Sequence, residues 1–180
     1  VCKAIPVTKA VVYGRDAERR TKFAAELSRE CGVEVVPAAN PEDAATGLDV
    51  VVTATTSREP VLKGAWLADG AHVNLVGSNF LAKSEADVEV FRRAGLVTAD
   101  SKEQARLEAG DFVAPLRDGV LSWADVVDFP PLFVGRVPGR TSDSQVTVFK
   151  SLGLGIEDVA VAARVVELAR RQGVGRELPL

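Results

Sequence analysis

Residues 49–79 read DVVVTATTSREPVLKGAWLADGAHVNLVGSN and hold two β-branched runs, each ending in small or hydroxyl-bearing residues. The first run, Asp49–Ala54, is apolar without interruption, which fits a strand buried on both faces. The second, His72–Val76, is the next strand. The same alternation continues outward from this stretch. Upstream, Lys9–Tyr13 is a strand and Asp16–Cys31 an amphipathic helix, with Asp16 as N-cap and Gly32 just past its end. Val33–Val36 is a further strand, and Asn40-Pro41-Glu42-Asp43 opens a short helix that Gly47 closes. Downstream, Ser84-Glu85-Ala86-Asp87 has the form of a capping box and opens a helix reaching Ala94. Leu96–Ala99 is a strand, and a second capping box, Ser101-Lys102-Glu103-Gln104, starts a helix to Ala109. Gly119 to Arg140 reads mostly as loop, Gln145–Phe149 as a last strand, and Ile156–Gln172 as a helix ended by Gly173. Ile156, Val159, Ala160 and Ala163 share one face of that helix. Strands alternating with helices mean βαβ units, and the sum is an α/β domain with a doubly wound parallel sheet.

Composition narrows the functions. The 180 residues are 47% hydrophobic and 26% charged, enough chain for a core without disulfide or metal staples. They read as one domain over residues 1–180. No apolar stretch is long enough to span a bilayer, and Val1–Ala10 lacks a signal-peptide core, so the expectation is a cytoplasmic protein without a membrane partner. Net charge is −3 and paired arginines such as Arg19–Arg20 and Arg170–Arg171 build no larger basic cluster, which speaks against nucleic acid as a partner. One histidine, His72, excludes multi-histidine metal sites, and no metal is expected. His72 itself reads as a packed or hydrogen-bonded structural residue, and Trp66 and Trp123 as packing residues. Cys2 and Cys31 read as thiols in a reducing compartment.

Doubly wound folds take ligands at the C-terminal ends of their strands. Three such ends carry candidate residues. Gly14-Arg15-Asp16 follows the first strand, where an acid would bind the ribose 2′-hydroxyl of NAD and an arginine suits the 2′-phosphate of NADP. The alternative is a solvated turn arginine beside a helix cap. Thr53-Ala54-Thr55-Thr56-Ser57 lets backbone approach a ligand and offers hydroxyls, or is an ordinary turn. Gly77-Ser78-Asn79, with Lys83 beyond, combines close backbone approach, an amide that cannot act as a general base, and a cation for a carboxylate, or is a turn and a solvated helix start. Gly153-Leu154-Gly155 lacks the third glycine of a dinucleotide fingerprint, because Asp158 stands in its place.

These stretches resemble the ornithine cyclodeaminase/mu-crystallin family. The likeness runs through VVYGRD (11–16), DVVVTATTSREPVL (49–62), WLADGAHVNLVGSN (66–79), KSEADVEVFRRA (83–94), DSKEQARLEAGD (100–111) and GRTSDSQVTVFKSLGLGIEDVAVAARVVELARRQGVG (139–175). The resemblance implies a Rossmann-like domain that binds NAD(P)(H), with NADP(H) favoured and NAD(H) possible. It implies hydride chemistry on an amino acid or a cyclic or linear imino acid, in a homodimeric full-length parent. It places Arg15 at the adenosine phosphate, Thr55 and Thr56 at the cofactor, and Val76, Gly77 and Ser78 along its nicotinamide half. Asn79 and Lys83 fall at the chemistry, Ser151 at the nicotinamide, and Leu152 at the substrate. Cyclodeaminating members carry an aspartate where Asn79 stands, so the resemblance implies a dehydrogenase or ketimine reductase rather than a cyclodeaminase. A non-catalytic NADPH-dependent ligand binder like mu-crystallin, or an inactive fragment, is the alternative.

The family's Gly-rich loop and first Rossmann strand are absent ahead of Lys9, and the chain contains no methionine. The expectation is therefore an incomplete Rossmann-like domain that begins in the middle of a gene. In the usual strand order 3-2-1-4-5-6, the first strand would lie between Lys9–Tyr13 and Asp49–Ala54, so both are expected to lose a neighbour.

Overall fold

Lys9–Val12 (β1) and Glu34–Pro37 (β2) pair in parallel, Lys9 opposite Glu34 and Val12 opposite Pro37, in a computed structural model that describes residues 2, 4–176 and 178. The helix between them, Ala17–Cys31 (α1), starts where Asp16 accepts the Arg19 amide at 2.9 Å. It stops at Gly32, whose φ of +68° is the left-handed conformation that glycine adopts without strain. β1 and β2 form a sheet of their own.

The second sheet has five parallel strands in the order β3-β4-β7-β5-β6. They are Val50–Thr53 (β3), His72–Leu75 (β4), Ala94–Ala99 (β5), Val126–Asp128 (β6) and Val146–Lys150 (β7). β1 and β3 are edge strands that do not pair with each other, which is the split expected where a strand would lie between them. The usual order does not continue beyond β4, because the last strand, β7, is inserted between β4 and β5. Val148 lies opposite both Val73 and Val97, so β7 occupies the middle of the sheet. The helices are Val88–Arg93 (α2), Lys102–Glu108 (α3), Gly110–Arg117 (α4), Phe129–Phe133 (α5) and Gly155–Gln172 (α6).

The core lies on one face of this sheet. Val73, Leu75, Val90, Ala99 and Phe112 are fully buried there, and the Phe112 ring meets Phe91 and Trp123 edge-on. Trp66 also packs against this cluster, in line with its expected role. A groove of about 510 Å³ lies against other side chains of the sheet, lined by His72, Asn74, Phe129, Leu132, Arg140 and Phe149 among others. His72 is half-buried there, with Nδ1 2.7 Å from Thr147 Oγ1, as a structural histidine should be. Burial holds its pKa below 6.5, opposed by a hydrogen bond with Asn74 and reinforced by the Arg140 charge.

Several expectations are corrected. Residues 41–47 form consecutive turns rather than a helix, although Asn40 does cap them by accepting the Asp43 amide at 2.9 Å. β3 is buried on one face only, with Val52 exposed at its sheet-edge position. The helix expected from Ser84 starts at Val88, capped by Asp87, whose carboxylate accepts the Val90 amide. Residues 119–140 contain β6 and α5 as well as loop. α6 forms as expected, and its apolar face, including Ile156 and Val159, is exposed. Ser101 caps α3 as expected, accepting the Gln104 amide at 3.2 Å. Cys2 and Cys31 are not disulfide-bonded. Among the described residues no helix is long and apolar enough to cross a membrane, and no cluster of potential metal ligands occurs.

Candidate functional site

Because all five strands of the larger sheet are parallel, their C-terminal ends emerge along one edge. The turns there are tied together by buried charge. Glu85 is fully buried and stands behind the ends of β3 and β4. Its Oε1 accepts the Thr55 amide at 2.5 Å, and its Oε2 accepts the Gly77 amide at 2.7 Å and the Thr53 hydroxyl at 2.9 Å. One carboxylate thus spans two turns. Gly77 is required by this closeness: a Cβ there would lie 2.3 Å from Thr55 O and 2.5 Å from Glu85 Oε1. The close approach that its lack of a side chain permits is between two turns of the protein.

Two more buried carboxylates work in the same way. Asp111, at the start of α4, accepts the amides of Glu85 (2.6 Å) and Ala86 (3.2 Å) at Oδ1, with Ser84 Oγ 3.1 Å from the same atom. Asp100, just past β5, accepts the amides of Leu152 (2.6 Å) and Gly153 (2.9 Å) at Oδ2 and that of Ser101 (2.8 Å) at Oδ1. Lys150 closes the group. Its ammonium is fully buried, 3.4 Å from Asp111 Oδ2, and donates to the Leu75 carbonyl at 3.1 Å. Burial pushes the Lys150 pKa below its usual value, against the pull of Asp111, Glu85 and Asp100. Asp111 Oδ2 makes no hydrogen bond with a described residue, which leaves this ammonium as the group that compensates it.

In front of this scaffold lie most of the residues expected from the sequence. Thr55, Thr56, Val76 and Asn79 are exposed on the turns after β3 and β4. Ser151 is half-buried after β7, its amide donating to Leu75 O at 3.0 Å, so the β7 turn adjoins the end of β4. Lys83 is half-buried with Nζ 4.9 Å from the centre of the Phe80 ring, a cation–π distance. Two residues face inward. Ser78 is fully buried and its hydroxyl donates to Lys83 O at 2.8 Å, fixing the turn that carries Lys83. The Leu152 side chain belongs to the core cluster, and its backbone amide is held by Asp100. Arg15 stands apart, on the smaller sheet after β1. It is exposed and forms no ion pair or hydrogen bond with another described residue. Its neighbour Arg20 donates to Gly14 O at 2.6 Å and lies over the Tyr13 ring, fixing the same strand end.

Sequence reasoning placed Glu85 after the fourth strand beside Lys83 and in a capping box, and did not foresee that it, Asp100, Asp111 and Lys150 are buried behind the site. Ser84-Glu85-Ala86-Asp87 matches a capping box, yet Ser84 Oγ lies 2.8 Å from Ala86 O and Glu85 turns inward. The available signals were Lys150 ending the run VTVFK and Asp111 standing between Gly110 and Phe112, charges set inside apolar sequence.

The chain matches the model of the ornithine cyclodeaminase/mu-crystallin family over residues 1–173. A Delta(1)-pyrroline-2-carboxylate reductase of Bacillus cereus is 33% identical over 173 residues, which are 96% of this chain and 53% of the reductase. The Thermococcus litoralis enzyme of the same name, solved in complex with NADH and L-proline, superposes with a TM-score of 0.90 at 34% identity, covering 98% of this chain and 55% of that one. An archaeal alanine dehydrogenase, solved as a dimer with bound NAD, gives a TM-score of 0.86 at 32% identity, covering 99% of this chain and 54% of that one. The chain thus spans about half the length of the relatives it matches.

Proposed function

This chain belongs to the ornithine cyclodeaminase/mu-crystallin family, and from that premise we propose that it is the cofactor-binding part of an NAD(P)-dependent oxidoreductase acting on an amino acid or an imino acid. The reaction is that of a dehydrogenase or ketimine reductase, with NADP(H) preferred. The observation that carries this reading is the convergence of three turns at the C-terminal ends of parallel strands. The turns at 54–57 and 76–83 are clamped to each other by Glu85, and that at 151–153 adjoins them through Leu75. Doubly wound sheets take their ligands at this edge. Support also comes from the Thermococcus reductase with its NADH and L-proline, and from the archaeal dehydrogenase with its NAD.

The residues present fit such a cofactor. Arg15 is an exposed cation without a described partner, and it would take the 2′-phosphate of NADP(H). Thr55 and Thr56, then Val76, Gly77 and Ser78, would line the cofactor, largely through backbone that Glu85 already holds in place. Ser151 would border the nicotinamide, and Leu152 the substrate, through its backbone. When bound, the cofactor supplies or accepts the hydride. The work left to the chain is orientation and charge. Lys83 offers an ammonium for a substrate carboxylate, and Asn79 offers an amide that orients without accepting a proton. Glu85 is engaged by three donors, which reserves it for structure.

The reading extends to a cytoplasmic homodimer, in keeping with the Cys2 and Cys31 thiols and with the dimeric archaeal relative. Purified full-length protein should oxidise NADPH when given Δ1-pyrroline-2-carboxylate, and should form no proline from ornithine. Proline formation from ornithine, or failure to oxidise either reduced cofactor with any cyclic or linear imino acid or to reduce either oxidised cofactor with any amino acid, would overturn the proposal.

A further inference from the structure

We propose that Lys150 is a positioning residue for the cofactor site, acting through Asp111 and Glu85 on the turns that carry Thr55, Gly77 and Lys83. The inference rests on the reading above, that a nicotinamide cofactor lies on those turns.

The links are polar contacts that run from fully buried side chains out to the turns. The Lys150 ammonium is 3.4 Å from Asp111 Oδ2, and both side chains are fully buried. The other oxygen of Asp111 accepts the backbone amides of Glu85 and Ala86. The first of these amides is that of Glu85 itself, whose carboxylate spans Thr55 N and Gly77 N. Any shift of Asp111 therefore moves the backbone of Glu85, and its carboxylate moves with it. Ser84, next in the chain to Lys83, touches the same Asp111 oxygen.

Removing the ammonium leaves Asp111 Oδ2 buried with neither cation nor hydrogen bond. A buried carboxylate does not persist in that state. It takes a proton, admits water or swings away, and each response alters the grip of its other oxygen on Glu85. Lys150 also donates to Leu75 O, the carbonyl that accepts Ser151 N, so the turn after β7 feels the same loss. Among the described residues the Lys150 ammonium has polar contacts with Leu75 O and Asp111 and none with the exposed turn residues, which makes it a positioning group and not a catalytic one.

The test uses the full-length protein with Lys150→Met, which keeps the stem and removes the charge, and Asp111→Asn, which keeps the shape. Dissociation constants for NADPH and NADH are measured by fluorescence titration and normalised to the folded fraction from circular dichroism. Both variants should weaken cofactor binding by about tenfold or more, the scale on which misplaced positioning groups act. The double variant should weaken it no further than the stronger single variant, because the two residues act in series. Val126→Ala is the control: Val126 is buried in β6 and belongs to the apolar cluster, so this variant should lose stability and keep its affinity. If Lys150→Met does not fold, Asp111→Asn alone decides. Variants that only melt earlier and keep the wild-type dissociation constants would overturn this inference while leaving the proposed function standing. A wild-type protein that binds neither nucleotide would overturn both.

Discussion

Glu85→Gln replaces one oxygen by an amino group in a side chain that is fully buried and accepts three hydrogen bonds. The geometry leaves the amide no good orientation. With its NH2 toward Thr55, it meets a backbone N–H. Turned over, it meets the Gly77 N–H, although the Thr53 hydroxyl can then rotate and accept. At least one backbone donor is lost either way. A hydrogen bond to a charged acceptor contributes about 1.5–3 kcal/mol, and an unsatisfied buried donor costs about 1–3 kcal/mol. Thr55 and Gly77 keep some access to solvent, so the sum should lie near the low end, about 3 kcal/mol. For a chain of this size that lowers Tm by roughly 6–12 °C. Urea unfolding followed by Trp66 and Trp123 fluorescence reads the change as a lower midpoint at constant slope. A loss under about 0.5 kcal/mol, the level of an ordinary surface substitution, would refute the claim that Glu85 is a structural clamp.

Phe112→Ala removes a fully buried ring with edge contacts to Phe91 at 5.6 Å and Trp123 at 5.9 Å between centroids. It should cost about 3–5 kcal/mol in the same unfolding assay. His72 gives a pH dependence. Burial holds its folded pKa below the unfolded value of 6.5, so between the two values the unfolded chain binds more protons. Stability should be complete above about pH 6.5 and should fall as the pH drops toward the folded pKa. His72→Gln should flatten that slope in urea midpoints compared at neutral and mildly acidic pH.

Several local signals in the sequence were read correctly, although those at Asn40–Gly47 gave turns in place of the expected helix. Asp16 and Ser101 cap helices because a short side-chain oxygen reaches the amide three residues on. Gly32 and Gly173 end helices because their backbones are left-handed, with φ of +68° and +65°. Strand order is set by distant pairing, and nothing within VTVFK tells that this last strand enters between β4 and β5. The apolar stripe of α6 is equally legible as a pattern, but a pattern does not say what covers it. The candidate site divides along the same line. Its exposed turns follow from their position after strands, which the sequence discloses. The scaffold behind them does not, because periodicity assigns charged residues to solvent, whereas Glu85, Asp100, Asp111 and Lys150 are buried with backbone amides, a backbone carbonyl and the Lys150–Asp111 pair as partners. The capping-box reading failed for that reason: Glu85 has amides of two other turns to satisfy and is drawn away from the helix start.

The measurement that bears most directly on the cofactor assignment is a paired titration of the full-length protein with NADPH and NADH, repeated on Arg15→Ala. The account expects wild-type protein to bind NADPH more tightly than NADH, and expects Arg15→Ala to lose most of that preference while its NADH affinity stays near wild type. A preference for NADPH that survives Arg15→Ala, or no preference in the wild type, would contradict it.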